Sequence, residues 1–146
     1  MLKTLINRLN RILAPAGFTR SGTTWRRNHP VAFDVVGIQQ AQFSTGVTVE
    51  LGVYFKNLGN ETNPLAGMGH LRMTLTGGGL AAWAKEFDDS AAQADQFAAR
   101  LAQDGLPWFE VVKSKRGALE AMAQQPADAA SPALKDAITY GTIDLV

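Results

Sequence analysis

The chain has 146 residues, with 14 lysines and arginines against 13 aspartates and glutamates, and it contains no cysteine. This length, with 46% apolar and 18% charged residues, is typical of one globular domain, and we expect residues 1–146 to form a single domain. The lack of cysteine excludes disulfides, thiolate chemistry and cysteine-ligated zinc. No apolar run approaches the ~18 residues of a membrane span, so we expect no membrane partner.

The first predicted element is an amphipathic helix over residues 2–13, whose apolar residues recur with helical spacing. Pro15 and Gly17 end it. Because the apolar residues are spaced, the segment differs from the continuous apolar core of a secretory signal, although its basic, amphipathic character also fits a mitochondrial presequence. We expect this segment to be an integral helix of the domain and not a targeting sequence, and we expect the protein to be cytoplasmic.

Four segments have the composition and two-residue periodicity of strands, namely 24–28, 31–43, 46–55 and 70–76. The second is apolar on both faces apart from Asp34, which is typical of a central strand covered on two sides. Gly52 in the third indicates a bulge or a close approach of another backbone. Residues 56–67, rich in Asn, Gly and Pro, predict a surface loop.

The second half is predicted to be helical, because it holds seventeen alanines against five in residues 1–73. Its clearest helix spans 90–103, capped by Asp89 or Ser90 and ended by Gly105. The remaining predicted elements are a helix opened by Pro107, a short helix over 115–125, a linker over 126–131, a last helix from Pro132, and a strand or tail over 142–146.

The order of several short motifs resembles a known family. These motifs are Gly17-Phe18 after the first helix, Trp25-Arg26-Arg27, Gln39, Val49 to Tyr54, Arg72, Trp83 and Leu106-Pro107. Over about residues 5–120 their order is similar to domain-of-unknown-function family 4304, which is mostly bacterial. The resemblance implies a single α+β domain and no particular activity. Many relatives carry a paired aromatic where Trp83 stands alone.

Positive charge is concentrated near the N-terminus, since residues 1–33 hold six Lys and Arg and no acid. With Trp25 beside them, Arg8, Arg26 and Arg27 could neutralise phosphates, which makes a nucleic-acid-binding module one alternative. Against it, neighbouring residues of a strand point to opposite faces, so Arg26 and Arg27 are not expected to line one groove.

Asp34 and Glu50 are the candidates for acid–base chemistry. If their strands pair, the two carboxylates could share one sheet face, where they could split their pKa values or hold a divalent metal in a metal-assisted hydrolase. Each is also explained by a cross-strand ion pair with Arg26 or Arg72, and we favour that structural interpretation. His70 is a candidate lone base, and no metal-ligand spacing accompanies it. We expect no cofactor and no metal.

These elements predict a two-layer α+β fold, in which a mainly antiparallel sheet of about four strands is packed by the N-terminal helix and the C-terminal helices. The leading functional hypothesis is a non-catalytic binding or protein-interaction module with an unknown protein partner. In this hypothesis the partner contacts the polar face of the sheet, on which Thr48 and Thr74 lie beside the candidate residues. The candidate surface residues are Arg26, Asp34, Glu50, Tyr54, His70 and Arg72.

Overall fold

The computed structural model describes residues 2–41, 45–75, 87–124 and 132–140. Its strands form one antiparallel sheet in the order β1-β2-β3-β4-β5. They are β1 (Thr19–Ser21), β2 (Thr24–Asn28), β3 (Ala32–Gln40), β4 (Val47–Phe55) and β5 (Leu71–Leu75). The α-helices are α1 (Lys3–Leu13), α2 (Ala91–Arg100), α3 (Leu106–Val112), α4 (Lys115–Gln124) and α5 (Pro132–Thr139).

The predicted α+β class is confirmed, since helices cover one face of the sheet, here called the inner face. Leu5, Leu9 and Leu13 recur along α1 and are completely buried. They share one core with apolar residues of the sheet and of the later helices. Removing an aliphatic or aromatic side chain from water contributes about 1.5–3 kcal/mol, so this stripe is sufficient reason for α1 to dock.

Within the described residues the sheet has five strands, where about four were predicted. The additional strand is β1, whose three residues are all exposed. An exposed strand has no alternation of apolar and polar residues, so its periodicity could not reveal it. It pairs with β2 through a hairpin, in which Gly22 has a φ of +61°. Glycine at the first central position is typical of a two-residue type II′ turn.

Gly105 does not end a helix, contrary to the prediction. A π-helical segment, Leu101–Gly105, joins α2 directly to α3, so the chain is helical from Ala91 to Val112. Gly105 is buried, and a Cβ there would lie 2.9 Å from a methyl group of Leu51 and from one of Leu101. The glycine is therefore explained by close packing of this helix on the sheet.

The two predicted capping residues serve different helices. The Ser90 hydroxyl accepts a hydrogen bond from Gln93 N and caps α2, as predicted. The Asp89 carboxylate instead accepts from the backbone N–H groups of Thr4 and Leu5, both at 2.9 Å. An acidic side chain thus satisfies the first turn of α1 from a residue far along the chain.

The segment between β4 and β5 packs on the other face of the sheet, here called the outer face. It contains two 3₁₀ turns, Lys56–Leu58 and Ala66–Met68. A Cβ on Gly52 would lie 2.3 Å from the carbonyl oxygen of Ala66. The pairing of β3 with β4 runs without a bulge through this position. Of the two interpretations of Gly52, close backbone approach is therefore the correct one.

The predicted central strand is confirmed, because β3 is buried on both faces along most of its length. Several predictions fall outside the described residues, namely the end of that strand at 42–43, Trp83, the linker at 126–131 and the element at 142–146. Among the described residues, no helix has the length and apolar content needed to cross a membrane.

Candidate functional site

The sheet register determines which predicted site residues share a face. Arg26 lies opposite Val35 on β3, and Gly52 on β4 lies opposite both Val35 and Arg72. The same alternation places six predicted residues on the outer face: Arg26, Thr48, Glu50, Tyr54, Arg72 and Thr74. Tyr54 and Thr48 are buried there, so these two do not offer an open contact surface.

Asp34 and Glu50 do not share a face, so the carboxylate pair that was considered as an alternative is not formed. Asp34 on β3 lies opposite Val53 on β4, and Val53 is three residues from Glu50 along that strand. An odd separation along a strand places side chains on opposite faces. No group of three His, Cys, Asp or Glu side chains suited to a metal occurs in the described part of the chain. The basis for a metal-assisted hydrolase at Asp34 and Glu50 is thereby removed.

Asp34 lies on the inner face and is completely buried. Its Oδ2 atom contacts Arg27 Nη2 at 2.8 Å, His29 Nε2 at 2.7 Å and Lys113 Nζ at 2.7 Å. The predicted partners were Arg26 or Arg72, but Arg27 is directly opposite on β2 and points to the same face. The aspartate is therefore an ion-pair centre, as the structural interpretation predicts, with different partners.

This cluster holds the sheet and the helical layer together. Arg27 also donates to the carbonyl of Ala16 and to Glu110, and its guanidinium lies 4.6 Å from the centre of the Phe18 ring. Lys113 follows the last residue of α3. Through Arg27 and Lys113, the Asp34 carboxylate thus connects the β2–β3 hairpin with the α1–β1 turn and the end of α3. A buried carboxylate requires cationic partners of this kind, because an unpaired charge is costly to bury.

Glu50 and Arg72 form the cross-strand pair that was predicted, although its closest atoms are 4.0 Å apart. Burial raises the pKa of Glu50, and the neighbouring Arg72 charge opposes that increase without cancelling it. The effect of burial on the pKa of this carboxyl group is therefore larger than the effect of the Arg72 charge. It lies beside the Ala66–Met68 turn, since a Cβ on Gly67 would be 3.7 Å from Glu50 Oε1.

His70 and Tyr54 hold the segment that covers the outer face. His70 Nδ1 accepts a hydrogen bond from Phe55 N at 3.0 Å, and the imidazole lies 4.8 Å from the Tyr54 ring. The Tyr54 hydroxyl accepts from Glu61 N. Burial lowers the pKa of His70, partly opposed by a hydrogen bond with the Leu58 backbone. An imidazole whose Nδ1 is already an acceptor is explained as a structural group, not as the general base that was considered.

A groove of about 470 Å³ opens on the outer face beside the edge strand β1. One wall is β1 and the preceding Gly17, and the other wall is the Thr62–Asn63 part of the covering segment. Arg26 forms part of the floor and holds the second wall, because it donates to the carbonyls of Pro64 and Asn63. The lining residues are Gly17, Thr19, Arg20, Ser21, Arg26, Asn28, Phe33, Thr62 and Asn63.

The groove is rich in hydrogen-bond donors and cationic. Arg26 lies on its floor, and Lys56 lies at one end, where its Nζ donates to Asn28 and is 4.8 Å from the centre of the Phe33 ring. Arg20 borders the groove from β1, but it lies opposite Trp25, so its side chain leaves the strand on the inner face. Within the described chain no carboxylate lines it. The nearby Glu61 carboxylate accepts from the backbone N–H groups of Thr62 and Asn63. The site is therefore suited to a ligand that carries negatively charged acceptor oxygens.

Sequence reasoning identified Arg26 but missed the rest of the groove. Arg20 lies on a strand without periodicity, and Thr62 and Asn63 lie in a segment predicted only as a loop. Gly17 and Phe18 occurred among the family motifs, and the glycine at φ +96° closes the turn that leads into β1. That motif and Trp25-Arg26-Arg27 were the sequence signals near the groove.

The basic residues considered for nucleic-acid binding do not form one surface. Arg8 pairs with Asp95 on α2, and Arg27 is directed into the Asp34 cluster on the inner face. Arg26 lies on the outer face. Two of the three charges are already neutralised by carboxylates, so a continuous phosphate-binding track through these residues is not present.

By its fold and its groove, the protein is of the α+β class, with helices on one face of an antiparallel sheet and a polar groove on the other face. The chain belongs to the family described as Domain of unknown function (DUF4304), whose model matches residues 9–111. No curated protein and no solved structure matches the chain.

Proposed function

We propose that the protein is a non-catalytic interaction module that binds a protein partner through the groove on the outer face of its sheet. The observation that carries the proposal is the groove itself, a cavity of about 470 Å³ with Arg26 on its floor and no lining carboxylate in the described chain. Binding sites are concave and combine a few convergent polar groups with apolar surface. The partly buried Phe33 supplies apolar surface here.

The roles of the other candidate groups support binding over catalysis. Asp34 is enclosed by Arg27, His29 and Lys113 and does not reach the surface. His70 Nδ1 is occupied by the Phe55 N–H. Asp34 and His70, two of the three side chains considered for acid–base chemistry, are thus explained by contacts that stabilise the fold, and the third, Glu50, lies beside Arg72.

The groove is also built to keep its shape. Arg26 connects β2 to the Asn63–Pro64 wall through two hydrogen bonds, and Tyr54 holds the same segment through Glu61. A preformed site loses less conformational entropy on binding than a flexible one. This arrangement favours a recognition surface over a loop with no further role.

Site-directed photo-crosslinking in the native cell tests the proposal. A photoreactive residue replaces Ser21 on the groove wall, and a control protein carries it at Gln96, exposed on α2 in the helical layer. We expect a discrete crosslinked protein from position 21 and none from position 96. Crosslinking from neither position, or equally from both, contradicts the proposal.

A further inference from the structure

We infer that the groove binds a phosphorylated side chain of the partner, with the phosphoryl group held by Arg26 and Lys56. This inference rests on the proposed function and specifies the chemistry of the partner. It is carried by three features of one place on the outer face: two basic side chains without a carboxylate partner, the hydrogen-bond donors that they leave unused, and the aromatic ring beside them.

Half-buried basic side chains elsewhere in the described chain are paired with carboxylates. These pairs are Arg8 with Asp95, Arg27 and Lys113 with Asp34, Arg72 with Glu50, and Arg100 with Asp104. Arg26 and Lys56 are the two exceptions, since both are half-buried and neither has a carboxylate partner among the described residues. Because burying a charge without an opposite charge is costly, an anion brought by a ligand is the complement that these two side chains require.

Arg26 and Lys56 lie close to each other on the outer face. Arg26 and Asn28 are two residues apart on β2, so their side chains share a face and their Cα atoms are about 7 Å apart. Lys56 Nζ donates to the Asn28 side chain and lies over the ring of Phe33, which is directly opposite Asn28 on β3. Asn28 and Phe33 both line the groove. A ligand in the groove is therefore within reach of both cations.

The unused donors and the two charges select a phosphoryl group. Arg26 uses Nε and Nη2 for the carbonyls of Pro64 and Asn63, and its Nη1 makes no hydrogen bond within the described chain. Lys56 Nζ donates one hydrogen bond there, to Asn28, and an ammonium group has three protons to donate. A phosphorylated side chain carries a charge of about −1.5 to −2 at neutral pH and three acceptor oxygens. One such group balances both cations, whereas a carboxylate balances only one.

The distribution of the other basic residues favours a protein ligand over nucleic acid. Affinity for nucleic acid depends on several phosphates being neutralised along a track. Outside the groove, Arg8 is paired with Asp95, and Arg27 is directed to the inner face. Two cations beside the Phe33 ring match a single phosphorylated side chain, with an apolar neighbour of that residue in contact with the ring.

The test is an NMR titration of the ¹⁵N-labelled full chain with capped pentapeptides that carry phosphoserine, glutamate or serine between alanines. We expect the phosphoserine peptide to shift the amides of Asn28, Phe33, Lys56 and Asn63, and to bind about tenfold more tightly than the glutamate peptide. Absence of binding, or equal affinity of these two peptides, overturns the inference. Equal or tighter binding of inorganic phosphate or of oligothymidylate also overturns it, because the groove would then be a site for a free anion or for nucleic acid.

Lys56→Gln gives the matched variant, because it removes one of the two charges and leaves the Arg26 hydrogen bonds to the groove wall in place. The control is Lys115→Gln, which removes the same charge from an exposed residue of α4 in the helical layer. We expect Lys56→Gln to weaken phosphoserine binding about fivefold and Lys115→Gln to leave it unchanged. Equal affinity of the two variants overturns the inference.

The two proposals fail in distinguishable ways. A crosslinked partner from position 21 combined with no preference for phosphoserine leaves the interaction module in place and removes the phosphoryl ligand. The absence of a crosslinked partner removes the proposed function itself. Mass spectrometry of the crosslinked segment joins the two tests: a phosphorylated residue in that segment supports the inference, and a segment without one contradicts it.

Discussion

Arg26 Nε donates a hydrogen bond of 2.8 Å to the carbonyl oxygen of Pro64, 38 positions away along the chain. This contact connects the floor of the groove to its outer wall. Within the described chain, the guanidinium has no carboxylate partner and is held by backbone carbonyls. Its positive charge is therefore fixed in position without being neutralised, which is the arrangement that an anion-binding surface requires.

Replacing Arg26 with glutamine is expected to loosen the outer wall. Hydrogen bonds from charged groups contribute about 1.5–3 kcal/mol each, and two are lost. We expect faster hydrogen exchange at the amides of Met68 and Gly69, which close the Ala66–Met68 turn. The control is Arg116→Gln, an exposed residue on α4. Unchanged exchange in Arg26→Gln would show that the wall does not depend on this side chain.

Gly52→Ala should destabilise the protein by about 1–3 kcal/mol, since the added methyl group overpacks a tight contact. Its Cβ would lie 2.3 Å from the Ala66 carbonyl oxygen. The matched control is Gly67→Ala on the facing turn, where the nearest heavy atom would be 3.7 Å away. Chemical denaturation measures both, and similar stability of the two variants would contradict the close approach.

Asp34→Ala is expected to cost about 3–5 kcal/mol, because it leaves Arg27 and Lys113 close together without their shared buried carboxylate. Asp95→Ala removes an equivalent pairing with Arg8, but the Asp95 side chain is 62% exposed. Exposed pairs contribute about 0.2–1 kcal/mol. Denaturation curves compare the two variants, and a loss no larger for Asp34 than for Asp95 would show that the cluster is not a structural lock.

Glu50→Gln should change the dependence of stability on pH. Burial raises the pKa of Glu50 in the folded protein, so the folded state binds the proton more tightly than the unfolded state does. That contribution is complete below the ordinary pKa of 4.5 and is lost as pH rises through the folded value. We expect the stability of Glu50→Gln relative to wild type to increase from pH 4 to pH 7. A constant difference across this range would contradict the prediction.

His70→Asn tests a pKa shift in the opposite direction, since burial lowers the pKa of this imidazole. Burial lowers the pKa of His70 when the protein is folded, so its contribution to stability is present above the ordinary value of 6.5 and is lost as pH falls. Asparagine offers an oxygen to Phe55 N but does not titrate. We expect wild type to lose more stability than His70→Asn between pH 7.5 and pH 5, measured by denaturation at each pH. Parallel curves would exclude this role.

The inner face of the sheet could be predicted from periodicity, whereas the Asp34 cluster could be predicted only in part. Asp34 was an isolated charge in an apolar strand, which indicated a buried ion pair. Arg27 lies beside Arg26 in the sequence, and a one-residue difference in register decides which of them faces Asp34. Lys113 comes from the end of a distant helix, and no local pattern reports that contact.

The amino-acid sequence by itself determined the α+β class, the amphipathic first helix and the central strand, because burial imposes a repeat that neighbouring residues share. The tertiary structure alone decided that Asp34 and Glu50 lie on opposite faces, that Gly105 packs inside a continuous helical run, and that Arg20, Arg26 and Thr62 line one groove. These arrangements depend on strand register and on contacts between segments far apart in the chain, and neither is encoded in local periodicity.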